Sequence, residues 1–204
     1  MSVRVSTEDN LHRALAKGGE ITLLAGVHTG SFEAATDVVI TGEEGAVLDA
    51  NGRGSVLLVQ EDNLTVVVEG VTLRGGHAEL GAGVCVVANS QVTLRKCRIE
   101  DNRPVQLRAG GVGVAAGNVT LEQCELGEGD DIWVLAHGHL SLIHTKLPGQ
   151  VAVVEGATAT IEGSSVGKLR LRGSPRATPT ATVIRSGIAE VDNDEAMPGN
   201  LIIG

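Results

Sequence analysis

Three polar segments, residues 74–80, 100–110 and 127–131, hold the side chains of this sequence that could do chemistry. They contain His77, Glu79, Asp101, Asn102, Arg103, Arg108, Glu128, Asp130 and Asp131. Carboxylates bind hard cations or act as acids and bases, arginine binds anions, and imidazole transfers protons near neutral pH. The three segments are therefore the predicted ligand-binding region, with Arg103, Arg108 and Asp130 as the candidates for catalysis.

Two chemistries fit these residue types. In the first, Asp101, Glu128 and Asp130 bind Ca²⁺, and Arg103 or Arg108 is the base of a lyase. In the second, a pair of the carboxylates acts as acid and base on a glycosidic bond. The structural alternative is that the same side chains cap turns and pair across neighbouring strands. We expect no metal or cofactor, with Ca²⁺ as the alternative.

Aromatic content and charge limit the classes of partner. The chain has one Phe, one Trp and no Tyr among 204 residues, so only Trp133 could stack against a sugar ring. The net charge of −9 disfavours nucleic acid and anionic membranes as general partners. The expected partners are therefore protein, including a second copy of the chain, with a glycan as the alternative.

The cysteines and the N-terminal segment bear on location. The sequence has three cysteines and no CxxC pair, a composition typical of a reduced protein. It contains no apolar run of about 18 residues that would span a membrane. Its first residues lack the apolar segment of a signal peptide. These features predict a cytoplasmic protein.

An internal repeat determines the expected fold. The pattern V-T-L-x-x-C-x-[IL] begins at Val92 and again at Val119, and weaker copies have their third residues at 40, 66, 142, 161 and 183. Consecutive copies are 19–28 residues apart, which suits the coils of a solenoid. Strand alternation places Leu94 and Leu121 inside and Thr93 and Thr120 outside. Ile99 and Leu126, which end the two clearest copies, complete the predicted core.

The repeat, particularly CRIEDN at 97–102, resembles the right-handed parallel β-helix superfamily with the pectin-lyase-like fold. The resemblance implies an all-β solenoid of about seven or eight coils over residues 1–191, with an N-terminal cap helix near 7–17. The superfamily includes lyases, hydrolases, adhesins and scaffolds, so the resemblance assigns no catalytic residue.

The C-terminal end suggests self-association. A polar loop from residue 192 leads to Leu201, Ile202 and Ile203, and no cap for the last coil is visible in the sequence. Residues 192–204 are therefore a cap or contact segment, because an uncovered last coil invites pairing. We expect a non-catalytic, bacterial-type β-helix scaffold that self-associates through Leu201–Ile203. The alternative is a small polysaccharide lyase or glycan-binding β-helix that uses the three polar segments.

Overall fold

The computed structural model describes residues 2–106 and 109–204, which form a parallel β-solenoid of about nine coils. Each coil contributes strands to three parallel ladders, so the inward side chains of one coil stack on those of the next. The expected all-β solenoid class is confirmed.

The first ladder runs the length of the solenoid. Its strands are β1 (Val3–Val5), β2 (Gly19–Leu23), β5 (Val38–Gly42), β8 (Thr65–Glu69), β12 (Gln91–Arg95), the C-terminal parts of β15 (Val112–Glu122) and β17 (Ile132–Ile143), β19 (Thr158–Glu162), β21 (Thr180–Ile184) and β23 (Asn200–Ile203).

The second ladder follows the first after a sharp turn in each coil. Its strands are β3 (Gly26–Thr29), β6 (Ala46–Asp49), β9 (Thr72–Arg74), β13 (Arg98–Glu100), β16 (Glu125–Leu126) and the N-terminal parts of β18 (Lys146–Val154), β20 (Ser165–Arg172) and β22 (Gly187–Asn193).

The third ladder closes each coil. It comprises β4 (Phe32–Glu33), β7 (Leu57–Val59), β11 (Val84–Val86), the N-terminal parts of β15 and β17, and the C-terminal parts of β18, β20 and β22. Two further short strands, β10 (His77–Ala78) and β14 (Arg103–Pro104), pair separately at a corner.

The core is built almost entirely from stacked aliphatic side chains. Leu94, Ile99, Leu121 and Leu126 are at most 2 % exposed, as the alternation of the repeat predicts. Leu94 and Leu121 are partners in the first ladder, so their contact continues from coil to coil. β-branched and leucine side chains fill such a stack without aromatic residues.

A left-handed residue makes the turn between the first and second ladders. Lys96, Gln123, His144 and Arg185 have φ between 47° and 54°, and Gly163 has φ of 56° in the same place. This conformation is costly for residues other than glycine. Its recurrence in successive coils indicates that the stacked neighbours hold it in place.

The residue after each of these turns is small and hydrogen-bonded to the coil before it, and all except the half-buried Ser186 are buried. The hydroxyl of Thr145 accepts the N–H of Cys124 at 3.3 Å and donates to the carbonyl of Leu121 at 3.0 Å. Ser164 accepts the N–H of Thr145 at 2.9 Å. These contacts satisfy backbone groups that the turn removes from the ladder, so we call them the hydroxyl ladder. The stacked Cys97 and Cys124 are free thiols in the same place.

The coil count exceeds the expected seven or eight because two terminal strands escape the repeat pattern. Gly19–Leu23 pairs with β5, and Asn200–Ile203 pairs with β21, both in the first ladder. The copy predicted to have its third residue at Val66 lies two residues further along the chain, since Val68, not Val66, pairs with Leu94. Because side chains alternate with a period of two, a slip of two residues keeps valine on the inner face in both alignments.

The N-terminal end is covered by helix α1 (Glu8–Lys17). Its apolar side, formed by Leu11, Ala14 and Leu15, is buried against the first coil. The helix ends at Lys17 and is capped by Gly18, whose φ is 75° and whose N–H donates to the carbonyl of Ala14 at 2.9 Å. Across residues 2–106 and 109–204 no helix has the length and apolar character needed to cross a membrane.

The C-terminal tail extends the solenoid instead of folding back over its end. Leu201 and Ile203 lie in register with Ala181 and Val183 of β21. Leu201 is half-buried against the core, whereas Ile202 and Ile203 are 52 % and 76 % exposed. The last coil therefore ends on an apolar edge strand.

Candidate functional site

The corner between the second and third ladders forms a cleft on three consecutive coils. β10 and β14 pair there in parallel, with His77 next to Arg103. The cleft has a volume of about 400 Å³ and is lined by Asp49, Asn51, Gly52, Gly75, Gly76, His77, Asp101 and Arg103. Two of the three predicted polar segments therefore meet at this corner cleft, whereas residues 127–131 do not line it.

The imidazole of His77 is held in one tautomer by the next coil. Its Nδ1 lies 3.2 Å from the backbone carbonyl oxygen of Arg103. A carbonyl oxygen can only accept a hydrogen bond, so Nδ1 carries the proton of the neutral ring and Nε2 keeps its lone pair. The ring is exposed, and His77 therefore offers a base to the corner cleft.

The guanidinium of Arg103 is the free cation of the corner cleft. His77 and Arg103 are partners in parallel strands, so their side chains leave the sheet on the same side. Arg103 is exposed and its side chain makes no hydrogen bond or ion pair with the residues that the structure describes. A free guanidinium binds a carboxylate through two parallel hydrogen bonds. Asp101, also exposed, supplies a carboxylate to the same cleft.

One wall of the cleft is fixed by an ion pair that the sequence analysis did not select. Nε of Arg74 donates to Asp49 at 2.9 Å, and the other oxygen of Asp49 accepts the backbone N–H of Asn51 at 2.8 Å. Arg74 lies in a predicted segment, but Asp49 lies one coil earlier in a short Asp-Ala-Asn-Gly turn. The Asp-Ala-Asn-Gly sequence indicates a turn, but it does not indicate the ion pair, because Arg74 is distant from Asp49 in the sequence.

Asn102 and Asp130 lie beneath the corner, inside the protein. Asn102 is 4 % exposed and Asp130 is fully buried. One oxygen of Asp130 accepts the backbone N–H of Asn102 at 3.2 Å and its amide N–H at 2.9 Å. The amide oxygen of Asn102 in turn accepts the N–H of Gly76 at 2.9 Å. These two candidates therefore connect three coils and are closed to solvent.

The second oxygen of Asp130 is buried without a hydrogen-bond partner among the described residues. Burial raises the pKa of Asp130 from 3.8 to about 6, although the hydrogen bonds from Asn102 act in the opposite direction. The physical cause is loss of water around the charged form. The carboxyl is thus a titrating group of the corner interior.

If the register of the second ladder continued past its strands, Arg103 would lie next to Asp130, but the structure does not place them so. Ile99 pairs with Leu126 in the second ladder, but Asp130 then bonds to Asn102, one position before Arg103. The segment after Leu126 is one residue longer than the segment after Ile99. That extra residue shifts the register after the strand.

The remaining candidates are dispersed. Asp131 accepts the backbone N–H and the side-chain amide of Gln150 at 2.9 and 3.0 Å. Glu79 and Glu128 are exposed and do not line the corner cleft, and Arg108 lies outside the described residues. Among residues 2–106 and 109–204 no group of three or more His, Cys, Asp or Glu side chains could hold a metal ion. The alternative Ca²⁺ site at Asp101, Glu128 and Asp130 therefore gains no geometric support.

Comparisons with known proteins add little to what the geometry shows. No family model and no curated protein matches the chain. A solved alginate lyase from Paenibacillus sp. str. FPU-7 is similar to it with 14 % sequence identity and a TM-score of 0.47, over 100 % of this chain and 98 % of that one. At that level of similarity, the activity of the other enzyme says nothing about this chain.

Proposed function

We propose that the protein is a small lyase that binds an acidic oligosaccharide in the corner cleft and cleaves it by β-elimination. The observation that carries the proposal is the adjacency of His77 and Arg103, which offer a free imidazole nitrogen and a free guanidinium on one side of one strand pair. This is the alternative function given by the sequence, and the geometry favours it over a scaffold without a site.

The two side chains have complementary tasks in this reaction. Arg103 binds the carboxylate of a uronic acid ring, and the neutralised carboxylate makes the C5–H bond more acidic. Nε2 of His77 removes the C5 proton, the electron pair forms the C4=C5 bond, and the C4–O bond breaks. The imidazolium returns its proton to the leaving oxygen. Atoms and charge therefore balance without a co-reactant.

The length of the cleft and the charge of the protein limit the length of the substrate. It crosses three coils, a distance of about 10 Å at the spacing of parallel strands, so it contacts a short section of a glycan. The net charge of −9 repels a long polyanion beyond the contact region. Short uronate oligosaccharides are therefore the proposed substrates, with Asp101 and Asn51 as acceptor and donor groups for hydroxyls.

The test is an elimination assay with uronate trimers of different ring configuration. The new C4=C5 bond, conjugated with the carboxylate, is followed by its ultraviolet absorbance. His77→Gln should abolish turnover while substrate still binds. Arg103→Ala should raise KM and lower kcat, with a loss of at least about tenfold in kcat/KM, because it removes a charged contact that also makes the C5–H bond more acidic. Arg95→Ala is the matched control, since Arg95 is exposed but paired with Glu122 at 3.0 Å in the first ladder. If no trimer is cleaved, or if His77→Gln retains full activity, the lyase proposal fails.

We propose self-association as a second candidate function, which the exposed apolar side chains of β23 favour. β23 pairs with β21 on one side, where Leu201 and Ile203 extend the apolar stack of the first ladder. Ile203 and the outward Ile202 are exposed. The N-terminal end is already covered by α1, so the natural pairing is between two C-terminal ends. An isologous contact of this kind closes as a dimer.

Light scattering over a concentration series tests the dimer with the full chain and a chain that ends at Asp194. Ile203→Asp should shift the full chain to monomer, because it places a charge in the apolar contact. Val27→Asp is the control, since Val27 is 53 % exposed on the second ladder. A full chain that is monomeric at every concentration would rule out this function.

We further propose that the protein resides in the cytoplasm. Its three cysteines are buried free thiols, and Cys97 and Cys124 remain unlinked although they occupy equivalent places in adjacent coils. Free thiols in adjacent coils suit a reducing compartment. Detection of the endogenous protein in cell fractions tests this location.

A further inference from the structure

A second cleft lies at another corner of the solenoid, where the third ladder leads back to the first. Two adjoining hollows of about 700 and 630 Å³ share Ala136 and Glu155. Trp133 and Arg172 line the larger one, and His137 and Arg176 line the smaller one. We call the two hollows together the Trp133 cleft. It shares no lining residue with the corner cleft.

Trp133 faces away from the core. It stands in β17 between the buried Ile132 and Val134, so alternation places the indole on the outer face. Its partners in the adjacent coils are Gly113, over which Leu80 packs, and the small Ala152. The indole is half-buried, and its N–H is buried without a partner among the described residues. The ring thus supplies an apolar surface and one unused donor.

The cationic side chains at this cleft differ in their ion pairs, although Arg170, together with Lys168 and Arg172, helps to lower the pKa of Asp192. Lys168 and Arg170, which precede Arg172 at alternate positions of β20, are paired with Glu190 and Asp192 at 2.6 and 2.8 Å. Arg172, by contrast, is exposed and makes no side-chain hydrogen bond or ion pair with a residue of the described ranges.

The same holds for two more exposed side chains of the cleft. The side chains of Arg176 and Glu155 also lack a hydrogen bond or ion pair within residues 2–106 and 109–204. Asp194 is engaged, since its Oδ1 accepts the N–H of Ala196 at 3.0 Å and of Met197 at 3.3 Å. The hollow that contains the indole is therefore lined by the guanidinium of Arg172 and the carboxylates of Glu155 and Asp194, and the adjoining hollow adds the guanidinium of Arg176.

We propose that the Trp133 cleft binds a hexuronate unit of an oligosaccharide. The indole packs against the C–H face of the pyranose ring, a large apolar contact with little loss of side-chain entropy. Arg172 and Arg176 bind the ring carboxylate by charge-assisted hydrogen bonds, and Glu155 accepts from a hydroxyl. The proposal assigns binding, and no catalytic step, to this cleft. The proposal does not depend on lyase activity, because the corner cleft shares none of these residues.

Intrinsic fluorescence gives a direct test, because Trp133 is the one tryptophan of the chain and there is no tyrosine. The full chain is titrated with a galacturonate trimer and, separately, with cellotriose as a neutral trimer of similar size. The expected result is a saturable change in Trp133 emission with the galacturonate trimer, and at least tenfold weaker binding of cellotriose. Arg172→Ala and Arg176→Ala should each weaken the galacturonate affinity at least fivefold.

Arg103→Ala is the matched control and should leave the emission titration unchanged, although it lowers turnover in the corner cleft. Thermal melting confirms that the Arg172→Ala chain is folded, as expected for an exposed side chain. Absence of a saturable change, equal affinity for both trimers, or an Arg172→Ala titration identical to that of the parent chain would each overturn the proposal. Loss of the signal in Arg103→Ala would place the bound sugar in the corner cleft instead.

Discussion

Asn102 directs two hydrogen bonds, from its backbone N–H and from its side-chain amide, to one carboxylate oxygen of Asp130 on the next coil. Both residues belong to the segments that the sequence marks as ligand-binding, yet both are buried. The pair holds the corner from inside while His77 and Arg103 face the cleft. Changes at the two positions should therefore act on stability before they act on binding.

The stability of the protein should depend on the ionisation of Asp130. Its pKa in the folded protein is about 6 because burial disfavours the charge, above the ordinary 3.8. The fold thus prefers the protonated form, whose contribution is complete below about pH 4 and is lost as the pH rises through about 6. Two pKa units correspond to about 2–3 kcal/mol. Asp130→Asn should be more stable than the parent chain at pH 7 by up to that amount.

Urea unfolding at a series of pH values measures this effect. The Asp130→Asn chain should lose the decline in stability between about pH 4 and 7 that the parent shows. Asp131→Asn is the control, because Asp131 lies beside it in sequence but bonds to Gln150 at the surface and should keep the decline. Equal pH profiles for Asp130→Asn and the parent would contradict the assignment.

The hydroxyl ladder should be a measurable source of stability. Thr145→Val keeps the shape of the side chain but removes the acceptor for the buried N–H of Cys124 and the donor to the carbonyl of Leu121. Leaving such groups unpaired costs about 1–3 kcal/mol. Thr145→Ser retains the hydroxyl and should cost less than Thr145→Val in the same denaturant titration. The reverse order would show that packing of the methyl group, not hydrogen bonding, dominates this position.

The fold was predictable from the sequence because its physical signal is repeated. Leu94 and Leu121 each follow a β-branched residue at the same spacing, and they stack as the period-two alternation predicts. The sequence repeat is weaker at the two ends of the solenoid. Ile21 and Ile203 occupy the same ladder position as these leucines, but their flanking residues do not follow the repeat. Two coils were therefore missed.

The sequence predicts which segments form the candidate site, but not which of their side chains face the cleft. The segments with His77 and Arg103 do meet at a cleft, because residues after equivalent strands of neighbouring coils must lie close together. Which side chains face inward depends on the loop after each strand, where one extra residue moved Asp130 next to Asn102. The contribution of Asp49 could not be read from its own segment, since Arg74, its partner, belongs to the next coil.

Truncation of the aliphatic stack should cost far more than changes on its outer face. Leu121 is fully buried between Leu94 and Leu142 of the adjacent coils. Leu121→Ala should lower the free energy of unfolding by about 2–5 kcal/mol, through lost burial and the cavity that remains. Thr120→Lys, on the outward side of the same strand, should change it by less than about 1 kcal/mol. Similar losses for the two variants, measured by denaturant unfolding, would contradict the inward and outward assignment.

The three thiols should be inert in the native protein and reactive after unfolding. Cys85, Cys97 and Cys124 are 6 %, 2 % and 3 % exposed. Burial raises the pKa of Cys85 to about 11, and the hydrogen bond with Cys97, together with burial, raises the pKa of Cys124. Only the thiolate reacts quickly with thiol reagents, so burial and ionisation both oppose modification of Cys85 and Cys124. The hydrogen bond with Cys124 lowers the pKa of Cys97, so burial alone protects that thiol. A colorimetric thiol assay at pH 8 should find almost no fast-reacting groups in the folded chain and all three in denaturant. A fast-reacting thiol under native conditions would mean that the ladder around Cys97 and Cys124 opens locally. Cys124→Ser, which preserves the small hydrogen-bonding side chain, would then show whether Cys124 is the reactive thiol.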